Sequence, residues 1–193
     1  MTLGIIAEDK SDVAVLRELT LTLLRPRKVG FKHFVGHGCG KLRRKCRAWA
    51  EILVRSGCQS IVLVHDLDHN KEVDLRRELE TAIANINARS SVVLIPVREL
   101  EAWLLYDANA LRLAFNGRSR PRLARDPQLL ADPKVTLRDV VWRAFKREYV
   151  NTIHNERIAK RIDPVELQRS SSFQPFPPFI DRVKKYIYPQ KCA

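Results

Sequence analysis

The chain has 193 residues and carries 35 lysine and arginine residues against 22 aspartate and glutamate residues, a formal net charge of +13. This length is sufficient to bury a substantial core, as one domain or as one domain with an extension. Because there is no apolar run of about 18 residues and no basic segment before the first apolar stretch, neither a membrane span nor a signal peptide is expected. We therefore expect a cytoplasmic protein.

The cysteines fit that location. Cys39, Cys46, Cys58 and Cys192 include no Cys-x-x-Cys pair, which argues against a zinc ribbon and against a redox motif. We expect four reduced thiols, as is usual in the cytosol.

The first half of the chain alternates strand-like and helix-like patterns. Apolar runs rich in isoleucine and valine predict buried strands, and apolar residues at helical spacing predict the helices between them. Such alternation is typical of right-handed crossovers, so we predict an α/β fold with a mostly parallel sheet of about four strands flanked by helices. The predicted strands cover residues 3–7, 31–35, 60–65 and 92–97, and the predicted helices cover 12–24, 42–56 and 71–88.

After Pro96 the pattern changes to short helices joined by loops. A short helix is expected over residues 99–105, followed by an arginine-rich loop over 116–125. We predict a core domain over residues 1–106 and a basic helical C-terminal extension over 107–193 that packs on the core. Helical segments of the extension are expected near 136–149, 154–161, 163–169 and 178–187.

Acidic residues follow two of the predicted strands. Asp66 and Asp68 come directly after the third strand, and Glu8 ends the first. Ligands of open parallel sheets bind at the carboxyl ends of the strands, so these three carboxylates are expected to meet at one edge. Carboxylates held this close repel each other, and a divalent cation relieves the repulsion. The sequence therefore predicts a Mg²⁺ or Mn²⁺ site.

Two other interpretations of these acids remain open. An aspartyl phosphatase would carry threonine or valine shortly after the second aspartate, whereas His69-Asn70-Lys71 follows here, and it would leave Glu8 without a role. Alternatively, the acids only end strands and cap helices, as aspartate often does.

The positive charge is concentrated in the second half, where residues 112–193 contain 18 lysine and arginine residues against 8 acidic residues. A basic region beside an acidic cluster suits an enzyme that acts on a polyanion. A basic surface without a nucleic-acid partner, or one that docks on an acidic protein, is the alternative. The predicted phosphate contacts are Lys10, Arg98, Arg118, Arg120 and Arg122.

The order of the acids resembles the Toprim domain, the fold shared by topoisomerases, primases, OLD-type nucleases and the RNase M5 group. Its pattern is an apolar strand that ends in glutamate and a later strand that ends in Asp-x-Asp, which Glu8, Asp66 and Asp68 match over about the first 100 residues. Asp9 stands where glycine is usual, a position at which aspartate tolerates a positive φ better than most residues.

A second resemblance spans nearly the whole chain. The segment from Ile95 to Leu105, the segment 157–159 and the segment 171–173 look like small Toprim-like proteins of the DUF4276 type. Such proteins are often paired with an ABC-like ATPase, so the resemblance implies an ATPase partner in trans. OLD-like sites also allow a further acidic ligand near Glu99. In a helix Glu99 and Glu101 point about 200° apart, so we expect one of them to face the metal; helix N-terminal acids are the alternative.

Together these features predict a Toprim-type nuclease that hydrolyses DNA or RNA with two Mg²⁺ or Mn²⁺ ions, as the effector of an ATPase-linked, defence-like system. Glu8, Asp66, Asp68 and Glu99 are the predicted ligands, and Glu8 is the expected general base or water-orienting group. The remainder of the chain is too short for the strand-passage domain of a topoisomerase, and it contains no primase modules. A non-catalytic Toprim-fold subunit that docks on an ATPase or on nucleic acid is the alternative.

Overall fold

Four parallel strands form the centre of the molecule in the computed structural model, which describes residues 1–24 and 29–187. Their order across the sheet is β2-β1-β3-β4, and every neighbouring pair is parallel. The predicted α/β class with a parallel sheet of about four strands is thereby confirmed. Cys192 lies outside the described residues. The strands are β1 (Thr2–Ala7), β2 (Gly30–Val35), β3 (Ser60–Val64) and β4 (Ser90–Leu94).

The three long helices of the first half cover both faces of the sheet. They are α1 (Lys10–Leu23), α2 (Cys39–Arg55) and α3 (Glu72–Ile83). Because side chains alternate along a strand, Ile5 and Val62 face α1, whereas Ile6 and Ile61 face α2 and α3. Both faces are buried at β1, β3 and β4, which explains why these strands are mainly apolar, whereas the edge strand β2 is largely exposed and contains Lys32 and His33.

The second half consists of short helices. They are α4 (Glu101–Leu104), α5 (Ala108–Ala114), α6 (Pro133–Phe145), α7 (Asn151–Ala159), α8 (Pro164–Leu167) and α9 (Phe176–Ile187), with a 3-10 turn at Pro127–Leu129. Throughout residues 1–24 and 29–187, no helix is both long and apolar enough to cross a membrane.

One of these helices was not predicted, and three others begin two or three residues before their predicted starts, at Pro133, Asn151 and Phe176. α5 was not predicted, although Asp107 caps it by accepting hydrogen bonds from the backbone N–H groups of residues 109 and 110. α6 begins at Pro133 because Asp132 caps it and proline suits the first helical position. α9 begins at Phe176, since its two following prolines lie in the first turn, where no intrahelical N–H donor is needed.

One apolar cluster contains residues from both sides of position 106. Leu16 of α1 and Val64 of β3 belong to the same buried group as Phe173 and Phe176. Trp103 is fully buried in this cluster, and its indole N–H donates to the hydroxyl of Ser172 at 2.8 Å. The C-terminal helices therefore share a core with α1 and the sheet.

Candidate metal centre

The two acid-bearing strand ends are neighbours in the sheet. β1 and β3 pair in parallel, so the residues that follow them emerge at the same edge. The backbone N–H of Asp66 donates to Glu8 Oε1 at 3.1 Å, which holds the Glu8 side chain against the start of the Asp-x-Asp segment. The structure thus brings the end of β1 and the end of β3 into direct contact.

The pleat of the sheet sends these acids to opposite faces. Ala7 and Val64 face α1, so Glu8 and His65, the next residue of each strand, point to the face of α2 and α3. Asp66 follows on the α1 face. The carboxylates therefore form two groups, one on each face of the sheet. Glu8 and Asp66 lie where the two groups meet.

On the α2 face, Glu8 and Asp68 lie beside a thiol. Ligand atoms of Glu8, Cys39 and Asp68 are all within 4.8 Å of one another. Cys39 is the first residue of α2, and Gly38 before it has φ of 114°, a conformation that suits glycine alone. Asp68 is itself left-handed, with φ of 47°, and its N–H donates to the carbonyl of Arg98 at 3.2 Å.

On the α1 face, Asp66 is joined by two buried acids that come from different helices. Asp12 in the first turn of α1 is 6% exposed, and Glu101 at the start of α4 is 5% exposed. Glu101 Oε1 accepts a hydrogen bond from the amide of Asn155 at 3.1 Å, and the hydroxyl of Tyr149 donates to the Oδ1 of the same asparagine. α7 therefore holds the Glu101 carboxylate in place.

These five carboxylates form the acidic cluster. Among residues 1–24 and 29–187, none of the five has a lysine or arginine nitrogen within 4.0 Å. Buried charge is costly unless it is paired or bound to metal, so the cluster has the composition of a cation site. Its members are Glu8, Asp12, Asp66, Asp68 and Glu101.

The mutual repulsion and burial of the carboxylates in the acidic cluster favour the binding of protons or cations. Burial raises the pKa of Asp66 well above its usual value, and the charge of Asp12 raises it further. Burial, followed by the charge of Asp9, also raises the pKa of Asp12 well above its usual value. The pKa values of Glu101 and Glu8 are raised by burial too, although Asn155 and His65 respectively oppose the shift. A divalent cation would relieve the same repulsion that protonation relieves.

His65 lies against the carboxylate of Glu8. Its imidazole is fully buried, with Nδ1 at 3.1 Å from Glu8 Oε1 and 2.6 Å from the carbonyl of Asp66. We assign the proton to Nδ1, because both neighbours are oxygen acceptors. Nε2 is buried, without a hydrogen-bond partner in the described part of the chain.

Helix capping does not account for the three predicted acids. Asp9, not Glu8, is the N-cap of α1, and it accepts hydrogen bonds from the N–H groups of Ser11 and Asp12. The N-cap of α3 is Lys71, several residues beyond Asp68.

Glu101, rather than Glu99, is the glutamate of the acidic cluster. The Oε2 atom of Glu99 accepts a hydrogen bond at 2.9 Å from the backbone N–H of Lys134, so this side chain stabilises the amino terminus of α6. Glu101 instead raises the pKa of Asp66 through its charge. Glu99 is therefore the acid at the helix terminus, and Glu101 is the acid of the acidic cluster.

The predicted phosphate contacts lie at three places. Lys10 is exposed at the first position of α1, and Arg98 is exposed beside Asp68, whose carbonyl it approaches at 3.5 Å. The other three, Arg118, Arg120 and Arg122, are exposed in the loop 116–125, which we call the arginine loop. Arg120 also lines a cavity of about 420 Å³ between this loop and α8.

Sequence reasoning missed four residues of the site as functional groups. None of Asp12, Cys39, His65 and Asn155 was predicted to belong to the site. Cys39 could have been found, because it follows β2, the other neighbour of β1, and the carboxyl end of β2 reaches the same edge. Asn155 has no local signal, since only the packing of α7 on α1 brings it to Glu101.

Comparison with known proteins gives one match. The model of a family described as a domain of unknown function, DUF4276, matches residues 7–181, and the chain belongs to this family. No curated protein and no solved structure is significantly similar to the chain.

Proposed function

We propose that the protein is a Mg²⁺- or Mn²⁺-dependent nuclease that hydrolyses phosphodiester bonds of DNA or RNA at the acidic cluster. The observation that supports this most strongly is the convergence of five carboxylates from the end of β1, α1, the segment after β3 and α4, none of which has a lysine or arginine nitrogen within 4.0 Å in the described part of the chain. Oxygen ligands of this kind suit hard divalent cations. Glu8, Cys39 and Asp68 have ligand atoms within 4.8 Å of one another, and Asp66, Asp12 and Glu101 supply further carboxylates from the α1 face, enough oxygen ligands for a two-metal site.

Each acid then has a role. Glu8 and Asp68 would hold one cation on the α2 face, while Asp66, Asp12 and Glu101 would hold the other on the α1 face. When bound, the cations supply Lewis-acid stabilisation of phosphate charge and a hydroxide nucleophile at neutral pH. Glu8, held by the backbone N–H of Asp66, accepts or directs a proton at its carboxylate, because burial has already raised its pKa.

The basic residues would deliver the substrate. Arg98 borders Asp68 directly, so its guanidinium is placed to meet a scissile phosphate at the acidic cluster. The arginine loop would attract the flanking phosphates.

We also propose that the chain is related to the Toprim domain, and to OLD-type nucleases in particular. Its support is the order of the acids, one glutamate after β1 and Asp-x-Asp after β3, on neighbouring parallel strands. By the same resemblance we propose that an ABC-like ATPase subunit acts with this chain in trans and controls when it cuts.

The test is cleavage of plasmid DNA and of a structured RNA by the purified chain, in Mg²⁺, in Mn²⁺ and in EDTA, with and without the ATPase. The matched pair Glu101→Gln and Glu99→Gln isolates the cluster, because both changes remove one glutamate charge near α4. We expect cation-dependent cleavage that falls by at least about a hundredfold in Glu101→Gln, the usual scale for a lost electrostatic contact at a reacting site.

Glu99→Gln should cut normally and lose only a little stability at the start of α6. If neither DNA nor RNA is cut under any of these conditions, or if the two variants behave alike, the nuclease hypothesis is wrong and the chain is a docking subunit.

A further inference from the structure

Helix α6 carries an exposed face that combines a tryptophan with arginine and lysine residues. Trp142 is 58% exposed, although tryptophan is usually mostly buried. Residues three, four, seven and eight apart share one face of a helix, so Val135, Arg138 and Trp142 form a single stripe along α6. We use the name α6 face for this exposed stripe together with the exposed Arg143, which borders it, and Lys146, the exposed left-handed residue at which α6 ends.

The charge of this face is positive along its length. Asp139 lies between two of its cations, 3.6 Å from Arg138 and 3.9 Å from Arg143, and it offsets part of their charge. Lys146 and Arg147 add two positive charges at the carboxyl end, and the exposed Glu148 offsets one of them. Apolar and aromatic surface framed by an excess of cations is complementary to nucleobases framed by phosphates.

The two ends of α6 connect the α6 face to the acidic cluster and to the arginine loop. At the amino end, Glu99 binds the backbone of Lys134, and the charge of Lys134 lowers the pKa of Glu101 in the acidic cluster. At the carboxyl end, Gly117 packs so closely on Phe145 that a Cβ at residue 117 would lie 2.3 Å from its ring. The arginine loop therefore starts against the last turn of α6.

A helix of this length spans about 20 Å at 1.5 Å per residue. The α6 face thus forms a continuous path from the arginine loop to the side of the acidic cluster. A strand bound along it would have its phosphates on Arg138, Arg143 and Lys146, and an unpaired base against Trp142.

We propose that the α6 face binds single-stranded nucleic acid, with one base stacked on Trp142. Stacking on an aromatic side chain requires a base whose π-face is free, which a paired base inside a duplex does not offer. This inference deepens the proposed function, because it names the form of the substrate, and it rests on that function only for the cleavage that follows binding.

Binding is therefore measured in EDTA, where no cutting can interfere. The probes are oligo(dT) of about a dozen nucleotides, a length within the range that single-strand binding modules cover, and a duplex of the same length. The chain has three tryptophans, of which Trp103 is buried and Trp49 is half-buried and stacked on Phe34. Quenching of tryptophan fluorescence by oligo(dT) therefore reports mainly on Trp142.

Trp142→Leu keeps an apolar, helix-favouring side chain and removes the ring, and Trp142→Phe keeps a smaller ring. We expect Leu to weaken oligo(dT) binding by about tenfold and to abolish the quenching, whereas Phe should retain most of the affinity. Val165→Ala, on α8, is the control for an exposed apolar residue of similar exposure, at 62%. It should bind as the wild type does.

A second matched pair tests the phosphate contacts. Arg143 and Arg77 have nearly equal side-chain exposure, 81% and 79%, but Arg77 lies on α3. Arg143→Gln should reduce the slope of log affinity against log salt by about 0.7, and Arg77→Gln should leave it unchanged.

Unaltered oligo(dT) binding and quenching in Trp142→Leu, or equal affinity of the wild type for duplex and single strand, would overturn the proposal and assign the α6 face to a protein partner. Because these measurements need no cation, a chain that binds single strands but never cuts would refute the nuclease activity alone.

Discussion

The acidic cluster and the basic second half of the chain use charge in opposite ways. The carboxylates of the cluster are drawn from four segments, and Asp12 and Glu101 are almost entirely buried. The arginines of the arginine loop come from one segment and are exposed to solvent. Buried like charges keep their mutual repulsion in a low dielectric, whereas exposed charges are screened by salt and water.

The difference indicates which region can do chemistry. Holding several carboxylates together at the sheet edge costs stability, and this cost is offset only when a cation or protons are bound. Exposed arginines cost little and contribute mainly to the rate and strength of encounter with a polyanion. We therefore expect changes in the acidic cluster to affect turnover, and changes in the basic half to affect binding.

The largest expected effect comes from Asp66→Asn. The change keeps the size of the side chain and removes the charge at the centre of the acidic cluster, so cleavage should fall by orders of magnitude. Without metal, the melting temperature should rise by a few degrees, because the repulsion from Asp12 and Glu8 is relieved. Cleavage assays and thermal unfolding in EDTA measure the two effects.

Nucleic-acid binding in EDTA by Asp66→Asn should be equal to or stronger than that of the wild type, since an acidic charge has been removed. A variant that unfolds, or one that still cuts, would show that the cluster is not organised around Asp66.

The strands and the three predicted acids could be found from the sequence because they depend on local pattern. An apolar run followed by acids in neighbouring parallel strands places Glu8, Asp66 and Asp68 at one edge without knowledge of side-chain contacts. The division between faces could also have been derived, since alternation along β3 sends His65 and Asp66 apart.

What the sequence could not supply depends on contacts between distant segments. Glu99 and Glu101 are both acids near a helix start, and only the docking of α6 on Glu99 and of Asn155 on Glu101 separates their roles. The α6 face is likewise invisible in the sequence, because a tryptophan among apolar residues suggests a core position, as it does correctly for Trp103.

A smaller effect is expected from changing Arg118, Arg120 and Arg122 together to glutamine. Binding of nucleic acid at low salt should weaken by about tenfold, and the salt dependence should flatten by about 0.7 for each phosphate contact that is lost on a single strand. Fluorescence anisotropy across a salt series gives both numbers. Turnover at saturating substrate should be unchanged, in contrast to Asp66→Asn.

The control for net charge removes three cations from another surface of the basic half, on α9, by changing Arg182, Lys184 and Lys185 to glutamine. If both triple variants weaken binding equally, only overall charge matters and the arginine loop has no specific role.

The smallest effect is the pH dependence of the stabilisation by Asp66→Asn. Because the folded-state pKa of Asp66 is raised above its unfolded value, the folded wild type binds a proton there more readily than the unfolded chain does. The stability that this proton contributes is present at low pH and is lost as the pH rises through the folded pKa.

Asparagine resembles the protonated acid at every pH. In EDTA, the melting temperature of Asp66→Asn should therefore exceed that of the wild type most at about pH 8. This difference in melting temperature should narrow to near zero as the pH falls towards 4, where the unfolded chain also becomes protonated.

Comparing the two chains at each pH removes the contribution of His154. Burial lowers the pKa of His154, so in both chains this residue makes stability rise with pH, opposite to the effect of Asp66. Saturating Mg²⁺ at pH 8 should abolish or reverse this difference in melting temperature. The cation replaces the proton in the wild type, whereas the variant offers the cation one carboxylate ligand fewer. A difference that widens on acidification would mean that Asp66 is stabilised as an anion in the folded chain, and the cluster would then need no cation.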